Sequence, residues 1–299
     1  MIESDDLHII SLRFLGKMSM QNNLIHGVWR NHSMNWSLVG SPLRPTEEDQ
    51  RIMMMLSIPA LSHSMEHTDV VVLGVTPELV HLSWPCNTRV QAFDHSADMI
   101  ASVWYPNSRN SSFVQQVSWQ NMPLSDNSVD LVIGDGCFTV LPSADACRVV
   151  LAESARVLKR TGLLVLRCFI RPERSETLEN VFAALHAGMI GSFDALKWRV
   201  AMAITPDEEL SVAVTDIYAA FEMLFPDRDQ LAKCTGWSRT AIDTIGAYKG
   251  MAARYTFPTM SELRKLASPF VDVFDIRQGH YELAERCPIF CFKPVDCKS

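Results

Sequence analysis

Gly74 ends a short β-branched run, Val70-Val71-Val72-Leu73, and Asp94 ends the next one, Val90–Phe93, 20 residues after that glycine. A glycine at such a turn lets the backbone approach a ligand. Pro77, placed to open a helix, would aim free amides at an anionic or polar group. A carboxylate about 20 residues beyond the glycine suits an acid that accepts from both hydroxyls of a ribose. The turn reads Gly74-Val75-Thr76-Pro77-Glu78-Leu79, with one glycine where a dinucleotide fingerprint has three. That weakens a NAD reading, because the pyrophosphate needs the closer approach the other glycines allow. A third stretch, Trp119 to Asp130, runs into Leu131-Val132-Ile133-Gly134-Asp135-Gly136-Cys137. It places another acid and glycine at the end of a further apolar run. The chemistry these residues point to is the holding of a nucleoside-like ligand.

Such residues need a sheet to line them up. Strand-like runs lie at Val70–Leu73, Val90–Phe93, Ser112–Val117, Val129–Ile133 and Leu163–Ile170, with helix-length segments between them, the clearest being Ala144–Lys159. Strands alternating with helices imply parallel crossovers and a doubly wound α/β sheet, which binds ligands beyond the carboxyl ends of its strands. Thr46 followed by Glu47-Glu48-Asp49 is a helix start, with the helix expected through Gln50–Leu56 and stopping before Pro59. After Pro172 the alternation gives way to helical segments at Leu178–Leu185, Ala195–Ala203, Asp216–Leu224 and Arg239–Lys249. A last helix, Met260–Ala267, precedes two strands, Val271–Arg277 and Pro288–Lys293, that fit an antiparallel pair. The expected division is an N-terminal extension and helix (1–62), a ligand-binding core (63–172), a helical insertion (173–258) and a closing helix with a strand pair (259–299).

Composition bounds the alternatives. The 299 residues carry 27 Lys and Arg against 34 Asp and Glu, a formal charge of −7, so a broad basic face for nucleic acid is not expected. The acidic start, Met1-Ile2-Glu3-Ser4-Asp5-Asp6, is unlike a secretory signal. No apolar run reaches the roughly 18–20 residues that span a bilayer. Eight scattered cysteines without a C-x-x-C pair read as reduced thiols. A cytoplasmic protein with no membrane partner is expected. His63 and His67 have helical metal-ligand spacing but neither the H-E-x-x-H order nor a third ligand, so no metal is expected.

Several stretches then take on a common meaning. Met122-Pro123-Leu124-Ser125-Asp126-Asn127-Ser128-Val129-Asp130 resembles the LP-x-x-D-x-S-V-D segment of class I S-adenosylmethionine-dependent methyltransferases. Glu153-x-x-Arg156-Val157-Leu158-Lys159-x-x-Gly162 resembles that family's E-x-x-R-V-L-K-P-G-G segment, and the turn at Gly74 and Asp94-His95-Ser96-x-x-Met99 stand in the family's order. The resemblance covers about residues 65–172, and the G-V-T-P-E-L turn is similar to that of a branch acting on small molecules. It implies a Rossmann-like, seven-stranded, mostly parallel sheet with an antiparallel terminal strand, and S-adenosyl-L-methionine as cofactor. It also implies roles. Gly74, Thr76, Pro77 and Glu78 would lie against the methionine part. Asp94 would hold the ribose, with His95, Ser96 and Met99 beside the adenosine. Ser118, Trp119 and Gln120 would border the adenine. Asp135, Gly136 and Cys137 would face the methyl. Ser118 stands where many members have an Asp that bonds the adenine amino group.

For the acceptor, Trp36 and Arg44 from the N-terminal segment and Trp198 and Tyr218 from the helical insertion are the candidates, and no catalytic residue is assigned. Methyl transfer from a sulfonium is an in-line displacement that gains most from alignment and exclusion of water, so a general base is needed only where the acceptor must lose a proton early. A small-molecule acceptor is the leading expectation. A non-catalytic binding or regulatory relative and a protein or RNA methyltransferase remain as alternatives.

Overall fold

The computed structural model describes residues 38–62 and 67–295. Trp36 and His63 lie outside the described residues. At its centre is a seven-stranded sheet built from β1 (Thr68–Leu73), β2 (Thr88–Asp94), β3 (Ser111–Gln116), β4 (Val129–Asp135), β5 (Leu158–Arg167), β6 (Val271–Arg277) and β7 (Ile289–Pro294), in the order β3-β2-β1-β4-β5-β7-β6. The first five pair in parallel, and β7 runs antiparallel between β5 and β6. The order reverses between β1 and β4, which sets the crevice beside the carboxyl end of β1.

The apolar run of β1 is buried on both faces, as a central parallel strand must be. Its side chains alternate between two cores. Val70 and Val72 pack with Met53, Leu56 and Ala60 of the helix Glu47–Leu61, whereas Val71 and Leu73 pack with Leu151 of Ala144–Val157 and Leu263 of Met260–Ala267. Thr46 and Asp49 form the capping box expected at the first helix.

Several elements differ from the sequence reading. The first helix continues through Pro59 to Leu61, where Ala60 and Leu61 join the core, so burial outweighs the proline's disruption. The helix expected to reach Lys159 ends at Val157, because Leu158 already pairs with Val129 and Lys159 turns its ammonium to Asp130 at 2.8 Å. The strand expected over Leu163–Ile170 is Leu158–Arg167. Arg239–Lys249 divides into an α-helix, Arg239–Asp243, and a 3-10 turn, Thr244–Tyr248. The helical region also holds the helix Arg228–Thr235 and a two-stranded ribbon, Ser211–Ala213 with Arg254–Thr256, whose partners are far apart in sequence and leave no local pattern. No helix among the described residues is long and apolar enough to cross a membrane.

Candidate active site

One cavity opens at the strand ends. About 1140 Å³ of empty space, part of it open to solvent, lies between the ends of β1, β2 and β4 and the segment 193–257. Gly74, Thr76, Asp94, His95, Met99, Trp119, Asp135, Gly136 and Trp198 all line it, so nine of the residues singled out in the sequence meet at one place.

Gly74 takes a left-handed φ of +98°, and its amide donates to Phe93 O at 2.7 Å. A Cβ there would lie 3.7 Å from the Trp119 indole and 3.8 Å from Asp94 Oδ2, so the missing side chain leaves a cradle between ring and carboxylate. Asp94 sits at the end of β2 with its Oδ1 accepting from Ser96 N at 2.8 Å. Burial raises its carboxyl to about 6, against the lowering effect of that amide. His95 is half-exposed beside it, with Nδ1 3.8 Å from Asp94 Oδ1. Trp119 is pinned through its indole N–H to Phe93 O at 2.5 Å.

The third strand end carries a buried ion pair. Arg167, in register with Asp135 on the neighbouring strand, donates to both carboxylate oxygens, from Nε at 2.6 Å and from Nη2 at 3.1 Å. Its remaining nitrogen reaches Pro42 O at 2.9 Å and Tyr281 Oη at 3.2 Å, and Tyr281 in turn donates to Asp49 at 3.0 Å. Burial pushes the Asp135 carboxyl up while the guanidinium works against that rise. Gly136 has φ +61°, and a Cβ there would come within 2.7 Å of the Phe169 ring. The glycine lets that ring cover the strand end.

The other residues singled out serve the frame. Ser96 caps the helix Ala97–Val103, accepting from Met99 N at 3.2 Å. Pro77 opens the short helix Pro77–Val80, and Glu78 pairs with Arg44, whose Nε lies 2.7 Å from its carboxylate. Ser118 and Gln120 are exposed and bonded to each other, Gln120 N to Ser118 Oγ at 3.3 Å. Cys137 is buried with Sγ 3.6 Å from Leu73 O, and burial keeps it a thiol by raising it well above the ordinary value. Tyr218 is half-buried away from the cavity, with its hydroxyl 3.5 Å from Arg228. Tyr281, in the turn between the last two strands, is drawn in by Arg167 and Asp49.

Sequence reasoning passed over Arg167, Lys197, Thr139, Phe169 and Tyr255 as site residues. Arg167 carried a signal, a lone cation inside Leu163–Ile170 that burial would force to find an acid. Lys197 lines the cavity and pairs with Asp194 at 2.9 Å; Asp194 also accepts from Gly40 N at 2.8 Å. Val39 and Leu43 line the cavity too, so the segment around 38–46 straps its mouth, tied to the sheet by Arg167 and to the helical region by Asp194.

Residues 72–166 match the family model described as a methyltransferase domain. No curated protein matches the sequence. A Rhodobacter sphaeroides structure named as a Zn-dependent alcohol dehydrogenase is 12% identical, with a TM-score of 0.58 over 90% of this chain and 98% of that one. The CcbJ methyltransferase from Streptomyces caelestis is also 12% identical, with a TM-score of 0.52 over 88% of this chain and 96% of that one. At such identities these two likenesses speak for the fold. The domain match lies on the strands that carry Gly74, Asp94 and Asp135, so this stretch of the chain is a methyltransferase domain.

Proposed function

We propose that the chain transfers a methyl group from S-adenosylmethionine to a small molecule. The observation that carries this reading is Asp94: a buried carboxylate with one oxygen fixed by Ser96 N and the other beside the bare backbone of Gly74, at the rim of the cavity. Two ribose hydroxyls need such an acceptor, and the desolvated acid gains from receiving them.

The residues present fit the cofactor. The cradle that a Cβ would fill at Gly74 admits a close backbone approach, and Met99 and the Trp119 indole offer apolar surface for a purine. When bound, the cofactor supplies an activated methyl on a sulfonium. Asp94 binds and orients the sugar. Asp135, held by Arg167, presents a fixed negative end at the close of β4. Phe169 over Gly136 and the strap at Val39 and Leu43 exclude water, which favours a reaction in which charge is neutralised. The cavity lies between the sheet and residues 193–257, a size and enclosure suited to a metabolite rather than to a macromolecular chain. The helical segment 173–258 acts in this reading as the acceptor cover.

A binding or regulatory role is favoured by one feature, the Trp119 indole lying 3.7 Å from the Gly74 cradle, where it takes up part of the space. Calorimetry with S-adenosylmethionine and S-adenosylhomocysteine tests the proposal: micromolar binding is expected, and no heat at millimolar ligand overturns it. Labelled methyl transfer to a metabolite extract, against protein and RNA fractions, then tests the acceptor; label entering only the macromolecular fractions overturns the small-molecule reading.

A further inference from the structure

We infer that the half of the cavity beyond Gly136 is a subsite for a planar aromatic acceptor that carries an uncharged or anionic oxygen, with the Trp198 indole N–H as its anchor. This rests on the methyltransferase reading above and names the class of small molecule.

Trp198 lines the cavity and is only 5% exposed, yet its Nε1 has no hydrogen-bond partner. An indole N–H can only donate, and buried indoles ordinarily find an acceptor. Thr139, also lining the cavity, has a buried hydroxyl in the same condition. Two unmet polar groups on residues that line the same cavity match a ligand that brings a lone pair to them. Around them the lining is rich in aromatic rings. Phe169 meets Trp198 edge-on at 5.3 Å, Trp198 meets Tyr255 at 5.6 Å, and Tyr255 meets Tyr248 at 5.7 Å. Ring walls set edge to face suit a flat, apolar body.

Charge narrows the class further. Among the described residues, the carboxylates lining the cavity are Asp94 and Asp135; the first belongs to the cofactor end, and the second is engaged by Arg167. The charged group in the inner half is the Lys197 ammonium, which lies over the Tyr248 ring at 5.8 Å and pairs with Asp194. Because Asp194 is already taken up by Lys197, an alkylammonium would find no free carboxylate among the described residues here, whereas a phenolic or carbonyl oxygen meets the Trp198 and Thr139 donors.

The test is calorimetric titration of the full chain with 2-naphthol, naphthalene and 2-(aminomethyl)naphthalene, each with and without saturating S-adenosylhomocysteine. 2-Naphthol is expected to bind at least tenfold more tightly than naphthalene, and the amine no better than naphthalene. Trp198→Phe keeps a ring and removes the N–H, so it should bring 2-naphthol to the affinity of naphthalene while S-adenosylhomocysteine affinity stays within twofold. Thr139→Val should cost 2-naphthol a few-fold. Equal affinity of 2-naphthol and naphthalene for the wild-type chain, or no 2-naphthol binding at its solubility limit, overturns the inference even if the variants fail to fold. A parallel loss of S-adenosylhomocysteine affinity in Trp198→Phe overturns it too, because the indole would then belong to the cofactor. Absence of S-adenosylhomocysteine binding counts instead against the methyltransferase reading; the 2-naphthol preference without it still decides whether the subsite exists.

Discussion

At one end of the cavity, Gly74, Asp94 and Asp135 stand at the carboxyl ends of three strands of one sheet. At the other, Thr139, Phe169, Lys197, Trp198, Tyr248 and Tyr255 arrive from separate segments spread over more than a hundred residues. The first end is positioned by strand register, which the hydrogen-bond ladder fixes to a fraction of a residue. The second is positioned by side chains packed on one another. A sheet lip of this kind holds the same ligand whatever the packed end becomes, so the acceptor can change without disturbing the cofactor.

That contrast can be broken or sharpened by substitution. The largest effect is expected for Arg167→Met, since Arg167 ties the two ends to the strap. Removing the guanidinium leaves the buried Asp135 carboxylate without its countercharge, and a loss of roughly 3–5 kcal/mol in urea unfolding is expected. A loss below about 1 kcal/mol would mean the ends are held independently of Arg167.

Asp94→Asn should separate binding from stability. The rise of this carboxyl from 3.8 to about 6 means that burial of its charged form costs about 3 kcal/mol at neutral pH, so the amide should stabilise the fold by up to that amount. S-adenosylhomocysteine affinity should fall ten- to a hundredfold, the order of a charge-assisted hydrogen bond, as read by calorimetry. The pH profile carries the same sign. The folded acid holds its proton more tightly than the unfolded one, so this group's contribution to stability improves as pH falls from above 6 towards 3.8. Cofactor affinity moves oppositely, falling up to tenfold per pH unit below about 6, because only the carboxylate accepts from both hydroxyls. A flat affinity profile between pH 7.5 and 5 would remove Asp94 from the site.

A smaller cost is expected for Gly136→Ala, where the left-handed φ and the Phe169 ring 2.7 Å from the added methyl oppose a side chain. About 1–2 kcal/mol of stability should be lost, with the ring displaced. The smallest effect is expected for Tyr218→Phe. Its hydroxyl meets Arg228 outside the cavity, so S-adenosylhomocysteine affinity and methyl transfer should both stay within twofold in calorimetry and labelled-methyl assays.

How far each end was legible follows from how it is built. Gly74, Asp94, Asp135 and Gly136 announce themselves because a strand end is a local event: an apolar run stops, and the residue that stops it faces the crevice. The sheet and its antiparallel last strand were legible for the same reason. Ser96 and Cys137 stood in the right stretches but turned inward, to cap a helix and to fill the space that Gly134 leaves. At the packed end, Trp198 was legible as an aromatic on a helix, but nothing in its neighbourhood told it from Tyr218. What separates them is which ring the ribbon partner Tyr255 meets, a contact across 57 residues. Arg167 was visible as an interruption and became intelligible only when Asp135 stood beside it in register.

The Arg167 network also bears on the order in which the chain can be finished. Its acceptors come from Pro42 and Asp135, which precede it, and from Tyr281, which follows it by 114 residues. During synthesis, a chain that has collapsed around the first five strands holds a sequestered cation missing one of its oxygens until the closing hairpin emerges. The residues from Met260 onward therefore act as a latch on the middle of the molecule, bringing Tyr281 to Arg167 and Leu263 to the core beside Val71 and Leu73.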